Sequence, residues 1–241
     1  MIYFLIPVYN EEANIPNLHR EMSGLHLNDQ VYFVFADDGS SDNSKSTIAK
    51  YFDETRHVVL GDGVNRGPGA AFNTGFKWIL SQSLADDDVV VTMEADCTSD
   101  ISILDTMLVL NKLGYDLVLA SVYAQGGGFD QTSFIRKFIS AAANFLYRFL
   151  FDIKVLTLSS FYRVYKASLI KKINQTYQGE IIGESGFVSM LEILTKAIWC
   201  NAKVIEVPMQ LHSSRRIGKS KMKILKTTIA YFRYLIKWKS R

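Results

Sequence analysis

The sequence predicts an α/β protein with a mostly parallel, doubly wound sheet. In the first half of the chain, five short apolar segments rich in β-branched residues alternate with four longer, more polar segments. Continuous apolar segments of this length are typical of strands buried on both faces, and repeated strand–helix units give right-handed parallel crossovers. The predicted strands occupy residues 2–8, 31–36, 58–60, 89–93 and 117–120.

Four helices are predicted to alternate with these strands. The first spans residues 11–24, and Asp42 is suited to cap the second because its carboxylate can accept first-turn N–H groups. A loop at 65–70 opens the third helix, which ends near Leu84, and the fourth spans 101–113. The loops that follow parallel strands meet at one edge of the sheet, where such folds bind ligands.

From residue 122 onward the alternation changes, but no linker-like segment appears. Pro208 places the last apolar segment at a sheet edge, because proline cannot donate a ladder hydrogen bond. We therefore expect one domain over residues 1–241. Its second half is predicted to contain one helix or a pair of helices at 134–151, helices at 187–200 and 223–238, and strands at 159–165 and 204–211.

The composition excludes several classes of protein. A hydrophobic fraction of 48% with 21% charged residues indicates a globular chain with a sizeable core. Cys97 and Cys200 are the only cysteines, so no disulfide framework is predicted, and the four histidines lack zinc-binding spacing. The apolar start lacks the basic region of a signal peptide, and no apolar segment reaches the ~18 residues of a membrane span.

The charge is distributed asymmetrically, although the net charge is only +3. Ten of the 27 lysines and arginines lie between residues 212 and 241, a segment without Asp or Glu. The remainder carries 17 basic against 24 acidic residues. A basic tail on an acidic body favours a phosphate, nucleic-acid or anionic membrane partner.

The strand at 89–93 is followed by two carboxylates, Glu94 and Asp96. Residues i and i+2 of an extended chain lie on the same side, and this pair follows the carboxyl end of a buried strand. Two hard oxygen ligands can share Mg²⁺ or Mn²⁺ with a diphosphate that completes the coordination. The alternative is a loop with two acids by chance. In either case we expect the pair to face solvent.

Two further polar clusters follow predicted strands. Asp37 and Asp38 come after the second strand, where a carboxylate can accept hydrogen bonds from a base or a ribose; an ordinary Asp-Gly turn is the alternative. The polar segment 7–11 comes after the first strand. Three such clusters at one edge favour a ligand site there.

Two loops are rich in glycine or basic residues. The loop at 65–69 lacks the spacing of a dinucleotide fingerprint or a P-loop, so we predict a tight loop-to-helix junction. The basic segment 215–221 surrounds Gly218 and could close over a diphosphate, with a solvated, unstructured loop as the alternative.

Together these motifs resemble family 2 glycosyltransferases of the GT-A fold, most closely the dolichyl-phosphate mannosyltransferase or polyprenyl-phosphate glycosyltransferase branch. The resemblance implies a metal-dependent, inverting transfer of a hexose from a GDP- or UDP-sugar to a polyprenyl phosphate. Residues 1–121 would form the nucleotide-binding half and 122–241 the acceptor-side half. The matching motifs are PVYNEEAN at 7–14, DDGSSD at 37–42, NRGPGAA at 65–71, EAD at 94–96, an aromatic-rich helix at 134–151, EVP at 206–208 and RRIGKSK at 215–221.

The resemblance also implies the residues that hold the donor and its metal. Glu94, Asp96 and Thr98 would bind Mg²⁺ or Mn²⁺. The residues implied in donor binding are Pro7, Tyr9, Glu11, Asp37, Asp38, Glu94, Ala95, Asp96, Arg215 and Lys221.

Catalytic and acceptor residues are implied in the same way. Asp96, Arg215 and Lys221 would stabilise the leaving diphosphate and so carry catalysis. Arg136 and Ser140 would contact the acceptor phosphate. For Arg136 the alternative is a surface residue that extends its charge into water.

The chain departs from the family pattern at several positions. Glu94 stands where Asp is usual, and Thr98 where Gln or Ser is frequent. Val122 follows Ser121 where mannosyltransferases carry an arginine, and their T-S-G-F-R segment reads SSFYR at 159–163. These positions bear on the identity of the sugar and of the acceptor.

The chemistry depends on the acceptor. An ionised polyprenyl phosphate is already nucleophilic, whereas a sugar hydroxyl, as in surface-glycan synthesis, needs a general base, for which Glu184 is the candidate. The absence of Q-x-x-R-W disfavours polysaccharide synthases. The rival classes are a module that binds nucleotide without turnover and a sugar-phosphate nucleotidyltransferase, whose glycine- and lysine-rich N-terminal signature is absent.

The predicted helix at 223–238 has an apolar face bordered by cations. This pattern favours an interfacial helix on an anionic membrane surface. The alternatives are packing on the protein's own sheet, a dimer contact or docking on a membrane-embedded partner. We expect a cytoplasmic protein, peripheral at the cytoplasmic face of a membrane, that binds no nucleic acid. The residues of the apolar face are Ile224, Leu225, Thr228, Tyr231, Phe232, Leu235 and Trp238.

Overall fold

The computed structural model describes residues 1–25, 27, 30–130, 148, 153–218, 221 and 224–239. The strands in these residues are β1 (Ile2–Val8), β2 (Val31–Asp37), β3 (His57–Leu60), β4 (Val89–Thr92), β5 (Leu117–Ser121), β6 (Gly128–Phe129), β7 (Arg163–Lys166), β8 (Val204–Pro208) and β9 (Gln210–Leu211). The α-helices are α1 (Ile15–Ser23), α2 (Ser44–Tyr51), α3 (Pro68–Leu80), α4 (Leu104–Lys112), α5 (Ala167–Thr176), α6 (Ser189–Trp199) and α7 (Ile224–Lys239).

Seven strands form one sheet in the order β3-β2-β1-β4-β7-β5-β8. β1 pairs in parallel with β2 and β4, and only β7 runs antiparallel to its neighbours. The register places Val8 opposite Asp37 and Leu5 opposite Thr92. The loops after β1, β2 and β4 therefore leave the sheet at the same edge.

Apolar side chains cover both faces of this sheet, because successive strand residues point to opposite sides. Leu5 and Val90 belong to one buried cluster, which α3 and α6 complete. Phe4 and Val91 belong to the other, which α1 and α4 complete. All four residues of β4 are buried. The α/β fold with a mostly parallel sheet is thus confirmed.

Some boundaries differ from those predicted. The helix predicted from residue 11 begins at Ile15, because residues 11–14 form a turn closed by the Asn14 N–H to the Glu11 carbonyl at 2.8 Å. Asp42 accepts the Ser44 N–H at 3.0 Å, although it is not the N-cap residue of α2.

The second half differs more. The strand predicted at 159–165 is instead the shorter strand β7 at Arg163–Lys166. The sequence pattern does not predict α5, which follows β7 directly. The strand predicted at 204–211 divides at Pro208: β8 forms an edge of the large sheet, as predicted, and β9 pairs with β6 in a separate sheet. The helix predicted at 134–151 lies, apart from residue 148, outside the described residues.

The helices that the structure describes include none that is both long enough and apolar enough to cross a membrane.

Arg163 is a fully buried cation at the start of β7. It donates to the carbonyls of Ser160 at 2.8 Å, Leu158 at 2.7 Å and Met190 at 2.8 Å. Since a buried charge is tolerated only when its donors are satisfied, these bonds hold the 158–160 segment and α6 against β7.

We predict that Arg163→Met lowers the free energy of unfolding by about 3 kcal/mol, because two buried carbonyls and a partly buried one lose their donor. Urea unfolding measures the change. Arg56→Met is the matched control, since Arg56 is exposed in the turn before β3. Equal unfolding midpoints for the two variants would show that the Arg163 bonds do not hold the fold.

Candidate active site

The loops after β1 and β2 are bonded to each other at the carboxyl edge of the sheet. Asn10 donates its N–H to the Ser40 hydroxyl at 2.9 Å, and its Oδ1 accepts the Ser41 N–H at 2.7 Å. One residue further, the Glu11 N–H donates to the Ser44 hydroxyl at 2.8 Å. These bonds bring two of the three predicted polar clusters together.

The two aspartates after β2 already have partners. Asp38 accepts the N–H groups of Arg66 at 2.7 Å and Gly67 at 2.8 Å, and burial raises its pKa. Asp37 lies 3.2 Å from the Lys45 ammonium and also accepts the Ser40 N–H. Asp38 therefore positions the loop at 65–67, and contact of either aspartate with a nucleotide stays a prediction.

The loop at 65–69 forms a tight junction with α3, as predicted. The Gly69 N–H donates to the Ser185 carbonyl at 2.8 Å, and a Cβ on Gly69 would lie 2.0 Å from the Glu184 carbonyl oxygen. The Glu184 N–H in turn donates to the Glu192 carboxylate at 2.7 Å. Glycine is required at 69 because two backbone segments approach closely there.

The predicted metal residues lie in the turn after β4. The Thr98 hydroxyl donates to Asp96 Oδ1 at 2.7 Å, and the Ser99 hydroxyl donates to Glu94 Oε2 at 2.6 Å. Asp96 is only 7% exposed, so the expectation that the pair faces solvent is wrong for Asp96. Thr98 orients the Asp96 carboxylate, and its role as a direct metal ligand stays a prediction.

Burial affects the titration of two acids at this edge. It raises the pKa of Glu94 to about 7, and the negative charge of Asp96 adds to the effect. Burial also raises the pKa of Glu11, although Lys221 acts in the opposite direction. The acids at 11, 94 and 96 therefore share one partly desolvated region, in which an added cation would be stabilised.

Two cations of the basic segment reach these acids. Arg216 contacts Asp96 Oδ2 with Nη2 at 2.5 Å and with Nε at 2.6 Å. Lys221 pairs with Glu11 and donates to the Asn10 carbonyl at 2.6 Å. These two contacts tie the basic segment to the acids, and its closure over a diphosphate stays a prediction.

Arg215 points elsewhere. Its Nη1 lies 3.6 Å from Glu21 Oε1, and it lines a separate cleft of about 270 Å³ that Cys97 also borders. Of the two adjacent arginines, only Arg216 contacts Asp96. The sequence analysis predicted a phosphate-binding role for Arg215 and did not select Arg216. Arg216 could have been found from the sequence, because it belongs to the same RRIGKSK motif.

Asn14 is a second residue that the interpretation did not select. It is buried, its Oδ1 accepts the Ile217 N–H at 2.9 Å, and its Nδ2 donates to Glu11 Oε2 at 2.6 Å. Asn14 therefore joins the start of α1 to the basic segment. The sequence could have indicated Asn14, because it is the last residue of the PVYNEEAN motif.

The remaining predicted residues are placed as follows. Pro7 lies in β1 opposite Ala36, Tyr9 is half-buried just after β1, and Ala95 is buried in the turn between the two acids. Arg136 and Ser140 lie outside the described residues, so their contact with an acceptor stays a prediction.

The carboxylate oxygens of this turn suit a metal cation that also binds phosphate. Among the described residues, no three His, Cys, Asp or Glu side chains are arranged to hold a metal ion. Glu94 and Asp96 offer oxygen ligands only, in a turn that Thr98 and Ser99 support. Mg²⁺ is commonly held by one or two carboxylates together with substrate phosphates.

Comparison with known proteins gives the family. The model of the family described as "Glycosyl transferase family 2" matches residues 3–174. A polyprenol monophosphomannose synthase from Mycolicibacterium smegmatis is 29% identical over 220 residues, which cover 90% of this chain and 79% of that protein. A dolichol-phosphate mannosyltransferase from Pyrococcus furiosus is 29% identical over 241 residues, 97% of this chain and 63% of that protein.

Solved structures agree on the fold. Glucosyl-3-phosphoglycerate synthase from Mycobacterium tuberculosis, in complex with Mn²⁺, UDP and glucosyl-3-phosphoglycerate, superposes with a TM-score of 0.63 at 18% identity. The match covers 98% of this chain and 77% of that one. Because the family model spans more than half of the chain, this protein belongs to glycosyltransferase family 2 and is a glycosyltransferase with the GT-A fold.

Proposed function

We propose that this enzyme transfers a hexose from a nucleotide-diphosphate sugar to a polyprenyl phosphate, with inversion, at the cytoplasmic face of a membrane. The observation that carries the proposal is a cluster of acids and cations at one sheet edge. Arg216 pairs with Asp96, and Lys221 pairs with Glu11. Glu94 lies within reach of the charges of Asp96 and Arg216. Such a site offers ligands for a cation and for a diphosphate together. The two relatives described above, named as polyprenol- and dolichol-phosphate enzymes, support the acceptor class.

Glu94 and Asp96 would hold Mg²⁺ or Mn²⁺, with their carboxylates oriented by the hydroxyls of Thr98 and Ser99. When bound, the cation would neutralise the charge that develops on the departing diphosphate. Two carboxylates do not complete the coordination of such a cation, so the phosphates of the nucleotide sugar would supply further oxygen ligands.

The basic segment would bind the donor phosphates from the other side. Arg216, Lys221 and, after a change of direction, Arg215 carry the charges that a diphosphate attracts. Each now pairs with a carboxylate, and phosphate oxygens match the arginine fork equally well. The three side chains would then exchange one anionic partner for another.

The acceptor chemistry needs no proton removal. An ionised phosphate oxygen of the polyprenyl phosphate would attack the anomeric carbon while the bond from that carbon to the diphosphate breaks, which inverts the configuration. A hydroxyl acceptor would require a general base. Glu184, the candidate for that role, lies in a loop bonded to Glu192 and packed on Gly69.

The described part of α7 supports attachment to a membrane. Tyr234 is buried against the core, and Tyr231 and Leu235 pack beside it, so part of the predicted apolar face covers the protein's own core. A second apolar row faces outward. Its members, at i, i+3 and i+7, are Ile229, Phe232 and Ile236, which are 53%, 54% and 72% exposed. This row, with the cations of the 212–241 segment, suits an anionic leaflet.

We predict transfer of labelled hexose from a GDP- or UDP-sugar to undecaprenyl or dolichyl phosphate in detergent, dependent on Mg²⁺ or Mn²⁺. Thin-layer chromatography of the lipid extract detects the product, and NMR of the anomeric centre reports inversion. Asp96→Asn should lower the rate by about a hundredfold or more, because electrostatic stabilisation of the leaving group is lost.

The matched control for that experiment is Asp86→Asn, an exposed aspartate before β4, at the opposite edge of the sheet. It should transfer at the wild-type rate. Hydrolysis of the donor without lipid product, or transfer only to a sugar hydroxyl, would refute the proposed acceptor.

A second prediction concerns Glu94 and pH. Because its pKa is raised to about 7 in the folded protein, the folded state binds the proton more tightly than the unfolded state. The protonated Glu94 carboxyl therefore makes its full contribution to the free energy of unfolding below pH ~4.5. This contribution is lost as the pH rises through about 7. In the presence of a chelator, Glu94→Gln should be more stable than wild type at pH 8 by about 2 kcal/mol and equal to it near pH 5.

Thermal unfolding at both pH values measures this difference. Glu54→Gln, at an exposed position, should leave the pH profile unchanged. Excess Mn²⁺ should stabilise wild type at pH 8 and have less effect on Glu94→Gln. Parallel pH profiles for wild type and Glu94→Gln would show that Glu94 is not desolvated.

The third prediction tests the membrane. Wild type should float with anionic but not neutral vesicles, less so at high salt, and the triple variant Ile229→Ser/Phe232→Ser/Ile236→Ser should float poorly because it loses the outward apolar row. Val109→Ser/Leu113→Ser removes comparably exposed apolar residues at α4 and should float like wild type. Equal flotation of both variants would contradict a role of α7.

A further inference from the structure

The segment from His212 to Lys221 is here called the strap, and its residues Arg216 and Lys221 contact acids of the candidate active site. Its residues 212–218 and 221 are described. The Arg216 Nε–H donates to Asp96 Oδ2 at 2.6 Å, and Nη2 lies 2.5 Å from the same oxygen. The Thr98 hydroxyl donates to the other oxygen, Oδ1. Both oxygens of this buried carboxylate are therefore engaged.

Further contacts fasten the strap beside Arg216. Asn14 accepts the Ile217 N–H at 2.9 Å and donates to the Ile217 carbonyl at 3.2 Å. At the start of the strap, the His212 N–H donates to the Thr98 carbonyl at 2.8 Å. Lys221 closes the other end through Glu11. The Arg216 contact is thus part of a defined arrangement of the strap.

A divalent cation bound to Asp96 Oδ2 would compete with the Arg216 guanidinium for the lone pairs of that oxygen. The two positive charges would stand within a few ångströms of each other in a partly desolvated turn, where like charges repel strongly. A cation that takes Asp96 as a ligand would therefore weaken or break the Arg216 contact.

We propose that Arg216 competes with the divalent cation for Asp96, so that metal binding releases the strap from the acids. The proposal rests on the proposed function only in placing the metal at Asp96. Binding of metal alone then breaks the ion pair between Arg216 and Asp96 and gives Arg216 no new anionic partner. Binding of metal with a nucleotide diphosphate gives Arg216 and Lys221 new anionic partners, so the two ligands bind cooperatively.

The first test measures Mn²⁺ binding to the purified full chain by EPR of free Mn²⁺, without nucleotide. Arg216→Gln should bind Mn²⁺ about tenfold more tightly than wild type, since a charge-assisted pair no longer competes. Arg216→Lys keeps the charge and should bind close to wild type. Arg56→Gln removes one positive charge, as Arg216→Gln does, but at an exposed position in the turn before β3. This variant should also bind Mn²⁺ like wild type.

The second test follows the strap itself. Trypsin should cleave after Arg216 faster when Mn²⁺ is added to wild type, because the guanidinium leaves Asp96, and addition of GDP or UDP should slow cleavage again. Mass spectrometry identifies the cut. Arg56 supplies an internal reference site, whose cleavage should not respond to Mn²⁺.

Unchanged or weaker Mn²⁺ binding by Arg216→Gln would overturn the proposal, as would tryptic cleavage after Arg216 that does not respond to Mn²⁺. If neither wild type nor Arg216→Gln binds Mn²⁺, the competition is refuted as well. The lipid transfer assay decides the proposed function separately, because it scores product from nucleotide sugar and polyprenyl phosphate.

Discussion

The parallel pairing of β1 with both β2 and β4 is the constraint on which the rest of the site depends. Its register brings the ends of three buried strands to one edge, so the polar turns that follow them must share one small region. Acids brought together there repel each other and lose water, and the raised pKa values of Glu11 and Glu94 reflect that loss. Cations from a distant part of the chain, Arg216 and Lys221, offset it.

This electrostatic arrangement explains why the site combines an acidic edge with a basic segment. A carboxylate cluster without cations would bind metal but repel a diphosphate, whereas cations alone would leave the metal without ligands. Pairs such as Asp96 with Arg216 keep both sets of charges satisfied inside a partly buried turn. Each pair consists of groups whose charges also suit a metal cation or a diphosphate.

The sequence predicts the first half well because β-branched apolar segments and turn residues act locally: β1, β2, β4 and β5 and their order along the chain follow from pattern alone. The sequence also selects Glu94 and Asp96 as metal ligands from their spacing after β4, and this role stays a prediction. What it does not predict depends on tertiary contacts. The choice of Arg216 over Arg215 is made by the path of the strap past Asn14, and the short extent of β7 reflects the bonds of buried Arg163 to carbonyls outside the strand. Neither contact leaves a periodic signal.

The strap also joins the carboxyl edge of the sheet to α7. At its beginning Ser213 and Ser214 bond to Asp130 beside the small β6–β9 sheet, and three residues after Lys221 the chain enters α7. That helix is seated on the core through Tyr234, whose hydroxyl lies 3.1 Å from that of Thr195. Both ends of the strap therefore lie beside folded elements of the chain. The outward apolar row of α7 lies only a few residues further, so a membrane that binds this row would hold the end of the strap close to the lipid surface from which a polyprenyl phosphate must come.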